Sequence, residues 1–211
     1  MKKVLSLLSA LALCATPVLA DPEIEEWKTP HAMGCMLLRE CVEDTHRIFT
    51  IAELKQHITH PDYETIREEA DALLKELDKL GVEVYLAADR YFTRGVAGSY
   101  HTQTNNFYLN DTYVDDPIQF LQTMRHEAWH AAQDAMAGSI DNTFMAVIED
   151  DTRIPAVYVM MTEIAYPEAA RPWEQEAKWA GDVPNMTLNV LRAINSSDGR
   201  PWEVLEPTYD P

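Results

Sequence analysis

Between residues 62 and 80 the apolar positions Ile66, Ala70, Leu73, Leu74, Leu77 and Leu80 recur at intervals of three and four, with charged residues on the opposite face. This spacing predicts an amphipathic helix with one side on a core, Pro61 in its first turn and Gly81 as its stop. Just upstream, Thr50 and Glu53 have capping-box spacing and predict a short helix through about His57. The period then changes: Val82-Glu83-Val84-Tyr85-Leu86 alternates as a strand does, and Gly98-Ser99-Tyr100 and Asn105 to Leu109 read as two further short strands around a polar turn. Asp116-Pro117 supplies a cap and first-turn proline for a second long helix, running to about Ala137 and closed by Gly138. Residues 142–148, 156–165 and 173–180 have helical character and are separated by Pro155, Pro167 and Pro172, while the tail after Gly181 is rich in Pro, Asn and Asp. The expected fold is α+β, a small sheet packed on the second long helix with a mainly helical C-terminal half.

The N-terminus has a different pattern. Lys2 and Lys3 precede an apolar run from Val4 to Cys14, and Val18-Leu19-Ala20 is a small-residue cleavage pattern, so residues 1–20 read as an export signal. The run is shorter than the roughly 20 residues that cross a bilayer. Lipid attachment at Cys14 is disfavoured by Leu13, where a small residue is wanted. The expected mature chain, residues 21–211, is one secreted or periplasmic domain with no membrane contact after cleavage. Acidic residues number 35 against 17 basic ones, a formal charge of −18, which argues against nucleic acid as a partner and suits a solvated surface. Cys35 and Cys41 form an even pair in an oxidising compartment and suggest a disulfide. Six residues along a helix put roughly 9 Å of rise between them, so a bond requires this segment to leave regular helix; two buried thiols are the alternative.

The second long helix carries His126-Glu127-Ala128-Trp129-His130. Histidines four apart project from one helix face about 6 Å apart in rise, so both imidazoles can meet one tetrahedral ion such as Zn2+. Glu127 is placed to act as general base on a water that the metal acidifies, which is the chemistry of hydrolysis. The bland reading is a pair of hydrogen-bonded histidines on a buried face. Arg125 and Trp129 read as supporting or packing residues. A third metal ligand is needed, and Glu174, Glu176 and Glu149 compete for it. Glu174 shares a helix face with Ala177 and Gly181, and the small Ala177 lets that helix approach the HEAWH helix closely.

On His126-Glu127-Ala128-Trp129-His130 followed by Glu174-Gln175-Glu176-Ala177, the chain from about Gly98 to Gly181 resembles the gluzincin metallopeptidases. The resemblance implies a zincin-like fold, zinc held by His126, His130 and Glu174, Glu127 as base, and a peptide or protein substrate. Lys178 stands where that second motif ordinarily continues with Asp or Asn. Zinc peptidases of this general design also place a tyrosine shortly before the third ligand; Tyr166 is the candidate to stabilise the oxyanion, or else a tyrosine packed beside a turn. The strand from Asn105 to Leu109 is either an edge that receives an extended peptide or an ordinary sheet strand. His57, His60 and Asp62 are either a second metal site or solvent-facing residues at a helix end. The alternatives to an exported zinc peptidase are a zinc hydrolase of another amide, as in a cell-wall component, and a non-enzymatic metal-binding or interaction protein on the same fold.

Overall fold

The structure is a computed structural model, described over residues 43–56, 62–138 and 145–197. The expected signal at residues 1–20, the Cys35–Cys41 pair, Pro61, and His57 and His60 lie outside those residues. The chain runs β1 (Thr45–Arg47), a 3-10 turn (Ile51–Gln56), α1 (Tyr63–Lys79), β2 (Glu83–Ala87), β3 (Gly98–His101), β4 (Asn106–Asn110), α2 (Pro117–Met136), α3 (Ala156–Ala165), α4 (Arg171–Asp182) and α5 (Met186–Ser196). It is an α+β fold: a four-stranded mixed sheet with a mostly helical C-terminal half. Among the described residues no helix is long and apolar enough to cross a membrane.

The sheet order is β1-β2-β4-β3, with β2 and β4 parallel and the other two pairings antiparallel. The chain leaves β2, passes to the sheet edge as β3 and returns by a turn to place β4 in the middle. Every residue of β4 is buried, as expected of a strand covered on both faces. Phe107 and Leu109 enter the main core with Ile66, Leu73 and Leu77 of α1 and Met124 and Ala128 of α2, while Tyr108 joins Ala87 and Phe92 on the other face. The interior position of β4 corrects the reading of residues 105–109 as a receiving edge. β3 is the edge strand on that side.

Local signals explain most element ends. The Asp116 carboxylate accepts from the N–H groups of Ile118 (2.9 Å) and Gln119 (3.1 Å), and Pro117 takes the first turn, so α2 begins where capping predicts. Gly138, at φ 82°, ends it in a conformation that costs glycine little. Thr50 and Glu53 do open the short 3-10 turn, with the Glu53 carboxylate accepting from Phe49 N–H at 3.2 Å and from Thr50 Oγ1 at 3.2 Å. Residues 145–148 are irregular, against the helix expected over 142–148. Their backbone is used elsewhere: Ala146 N–H donates to Gln133 O (2.9 Å) at the end of α2, and Met145 O accepts from Trp173 Nε1 (3.0 Å).

α4 lies along α2, with α3 against its outer side; α5 packs on both α1 and α2. The approach of α4 to α2 is close because Ala177, Ala180 and Gly181 are the residues between them. A Cβ on Gly181 would stand 3.1 Å from Gln122 O and 3.5 Å from His126 Cβ.

Candidate metal centre

His126 and His130 leave the same face of α2, with ring centroids 4.9 Å apart and planes at 87°. α4 brings Glu174 to them. Its Oε2 lies 3.3 Å from His126 Nε2 and 3.7 Å from His130 Nε2, and one ligand atom from each of the three residues falls within 4.8 Å of the others. Two imidazoles and one carboxylate at this spacing form a donor set that could hold a metal ion. Glu174 Oε2 is buried and receives no hydrogen bond of good geometry from the described residues, which leaves it available to an ion.

The support around the ligands is specific. His130 Nδ1 lies 2.8 Å from Gln133 Oε1, which sets the tautomer that leaves Nε2 facing the cluster. Gln133 is fixed in turn, its Nε2 donating to Glu176 Oε2 (2.7 Å) and Trp173 O (3.2 Å). Burial lowers the His130 pKa, but the nearby Glu174 and Glu127 carboxylates and Gln133 outweigh it and the imidazole is pushed up to about 9. Burial raises the Glu174 carboxyl, and the two imidazoles more than offset this, holding it well below the usual carboxylate range.

Glu127, on the neighbouring position of α2, is buried, and its Oε2 accepts the Tyr100 backbone N–H at 2.9 Å. That N–H belongs to edge strand β3, so the carboxylate is anchored between helix and sheet edge. Gly98 permits this approach: a Cβ there would meet Thr123 Cγ2 at 2.7 Å and Glu127 Cγ at 3.0 Å. Tyr166, at the end of α3, turns its hydroxyl toward Glu174 and Glu127; burial, then those two carboxylates, push its pKa up. His126, Glu127 and Tyr166 line one cleft of about 630 Å³ bounded by the β3 end of the sheet, the first half of α2, α3 and α4.

The structure therefore brings together His126, His130, Glu174, Glu127 and Tyr166. Among the described residues it does not bring Glu176 or Glu149 to the cluster. Glu176 is fully buried and accepts from Trp129 Nε1 (3.1 Å), Gln133 Nε2 (2.7 Å) and Glu149 N–H (2.5 Å), while Glu149 pairs with Arg153 at 2.8 Å. Arg125 holds Glu69 of α1 through paired contacts of 2.7 and 2.5 Å and also donates to Gly181 O (3.3 Å), so it binds three helices behind the site. Asp62 precedes α1 as its cap residue, and His57 and His60 lie outside the described residues. His101 stands at the far end of β3, edge-on to Tyr108.

Sequence reasoning missed Gln133, although its i+3 spacing from His130 puts both on one helix face. It also missed the link from Tyr100 N–H to Glu127, which joins residues far apart in sequence and leaves no local trace. No protein-family model, curated protein or solved structure matches the chain.

Proposed function

We propose that this chain is an exported zinc-dependent hydrolase that cleaves peptide bonds, with a zincin-like site on α2 and α4. The observation that carries this reading is the convergence of two imidazoles and one carboxylate from two helices beside an open cleft, with a second carboxylate next to them. The resemblance of the motifs to gluzincins, and the N-terminal export pattern, point the same way.

His126, His130 and Glu174 would hold the ion, whose role is to acidify a water and polarise the substrate carbonyl. Glu127 takes the proton of the attacking water and returns it to the leaving amine. Its attachment to Tyr100 N–H keeps one oxygen at the sheet edge and leaves the other for this transfer. Tyr166 donates its hydroxyl to the oxygen that gains charge, and Gln133 keeps His130 in the tautomer that can bind the ion.

Elemental analysis of purified protein tests the centre first. About one zinc per chain is expected for the wild type, with loss or strong weakening in both His126→Ala and Glu174→Ala. Glu127→Gln should keep its zinc and lose hydrolysis of peptide substrates. No zinc or other transition metal in any sample, even after reloading, would sink the metal reading. Undiminished hydrolysis by Glu127→Gln would remove Glu127 as base, and bound zinc without hydrolysis in the wild type would favour a metal-binding protein without catalysis.

A further inference from the structure

Lys178 is the one lysine or arginine among the described residues lining the cleft. It lies four residues beyond Glu174 on α4, one turn or about 6 Å along the axis. Side chains of a helix lean toward its N-terminus, so this one leans back toward the metal ligands. A half-buried lysine on a helix ordinarily pairs with a carboxylate four residues before or after it. Both positions here are acidic, and both are engaged elsewhere. Glu174 faces His126 and His130. Asp182 accepts from Gln122 Nε2 at 3.0 Å. Among the described residues no carboxylate lies within 4.0 Å of Lys178. Asp116, Glu127 and Asp182 line the same cleft, yet none of them forms an ion pair with Lys178, which leaves its ammonium group the one cation there open to an outside carboxylate.

We propose that Lys178 makes the cleft selective for peptides bearing a carboxylate within two residues of the bond to be cut, an inference that rests on the hydrolase reading above. An extended peptide advances about 3.3 Å per residue. A lysine whose backbone stands within one helical turn of Glu174, a span of at most about two extended residues, therefore meets a group on the residue beside the scissile bond or the one after it. Two sources present that chemistry: the free C-terminal carboxylate of the substrate and an aspartate or glutamate side chain. The first would make the protein trim chain ends, and the second would make it cut next to acidic residues.

Calorimetric binding of short peptides to the zinc-loaded Glu127→Gln protein tests this without turnover. One pair of peptides differs only in a free or amidated C-terminus. A second pair, both amidated, differs only in Glu against Gln at the residue beside the scissile position. At least one carboxylate peptide should bind about tenfold or more tightly than its neutral partner, as expected for a hydrogen bond to a charged group. The pair that shows the preference identifies the source. Adding Lys178→Gln should abolish the preference, and adding Lys178→Glu should reverse it, with circular dichroism confirming that both variants are folded. Equal binding within both pairs, a preference that survives Lys178→Gln, or no binding by the zinc-loaded protein would overturn the proposal. The hydrolase reading fails separately: carboxylate binding that depends on Lys178, with no hydrolysis by the wild type, would leave Lys178 as a recognition residue in a protein that does not cut.

Discussion

Replacing Gln133 with Met removes the one acceptor given to His130 Nδ1 while filling most of the same buried volume. The amide oxygen sits 2.8 Å from that nitrogen, and the side chain is fully buried, so no water replaces it at once. Without the amide, the His130 ring is free to rotate or to take the tautomer whose Nε2 carries the proton and cannot bind an ion. Loss of such an outer partner ordinarily costs about 10- to 100-fold in metal affinity, equivalent to about 1.4–2.7 kcal/mol. A second cost falls on the metal-free fold. Glu176 loses the donor at 2.7 Å but keeps Trp129 Nε1 and Glu149 N–H, and Trp173 O loses its donor at 3.2 Å, so one hydrogen bond to a carboxylate and one to a carbonyl are lost, about 2–4 kcal/mol together. Competition for zinc with a chromophoric chelator reads the first quantity, and urea unfolding of the metal-free protein reads the second. A folded Gln133→Met protein that binds zinc within twofold of wild type would refute the assignment of Gln133 as the residue that orients His130.

Gly98→Val places carbon where Thr123, Glu127 and the Tyr108 carbonyl oxygen already stand at 2.7, 3.0 and 3.3 Å; the overpacking should cost about 1–3 kcal/mol and cut hydrolysis at least about tenfold, with zinc content unchanged. Wild-type hydrolysis in that variant would show that Glu127 need not lie against β3. Arg125→Met strands the partly buried Glu69 carboxylate and should destabilise the fold by about 3–5 kcal/mol, seen as a lower urea midpoint. Burial raises the Glu69 pKa, but Arg125 and the Asn185 N–H more than offset it, so the folded value lies below the ordinary 4.5. The pair therefore stabilises the wild type above pH 4.5, and that share is lost as pH falls through the lower folded value; an equally steep acid limb in Arg125→Met would contradict this. Tyr166→Phe should lower kcat about 100-fold with little change in KM or zinc content, and an unchanged kcat would return Tyr166 to a packing role.

The parts of the fold that repeat a local rule were legible. The α1 stripe, the Asp116-Pro117 cap and the glycines at 81 and 138 each act within a few residues, and the corresponding helices begin and end close to where those signals place them. α5 was not expected, because the tail after Gly181 is rich in Pro, Asn and Asp. Its Leu188, Leu191 and Ile194 are buried at helical spacing, and the left-handed Asn185 (φ 61°) lets a new helix start at once after α4. β1 is three residues long and carries no alternation to read; its pairing with β2 supplies the strand. The place of β4 in the sheet was open for a different reason. β4 is interior because it pairs with β2 on one side and β3 on the other, the first of these a contact between segments distant in sequence, and the Asn105 to Leu109 segment reads the same at an edge or in the middle. At the site, the i, i+4 histidines and the small residues at 177 and 181 were readable because they act on one helix or on one helix pair. The choice among three glutamates was not, because it depends on donors from segments distant in sequence.

That choice follows from where the fold spends its N–H groups. Glu174 and Glu176 are two residues apart on α4, so they point to different sides of the same helix. On one side, Trp129, Gln133 and the backbone of the 145–149 segment converge on Glu176 and occupy both its oxygens. Glu149 lends its own N–H to that group and spends its carboxylate on Arg153. On the other side, Gly181 lets α4 approach the backbone of α2 at Gln122 and His126, and Glu174 faces the two imidazoles, with the Tyr166 hydroxyl nearby. A carboxylate saturated by N–H donors presents no lone pair to a cation, whereas one facing two imidazole nitrogens shares with them a point at which an ion satisfies all three. The helix that carries Glu174 is thus held in place by Glu176, and substitutions at Glu176 should loosen the candidate metal site by displacing α4 and Gln133 together.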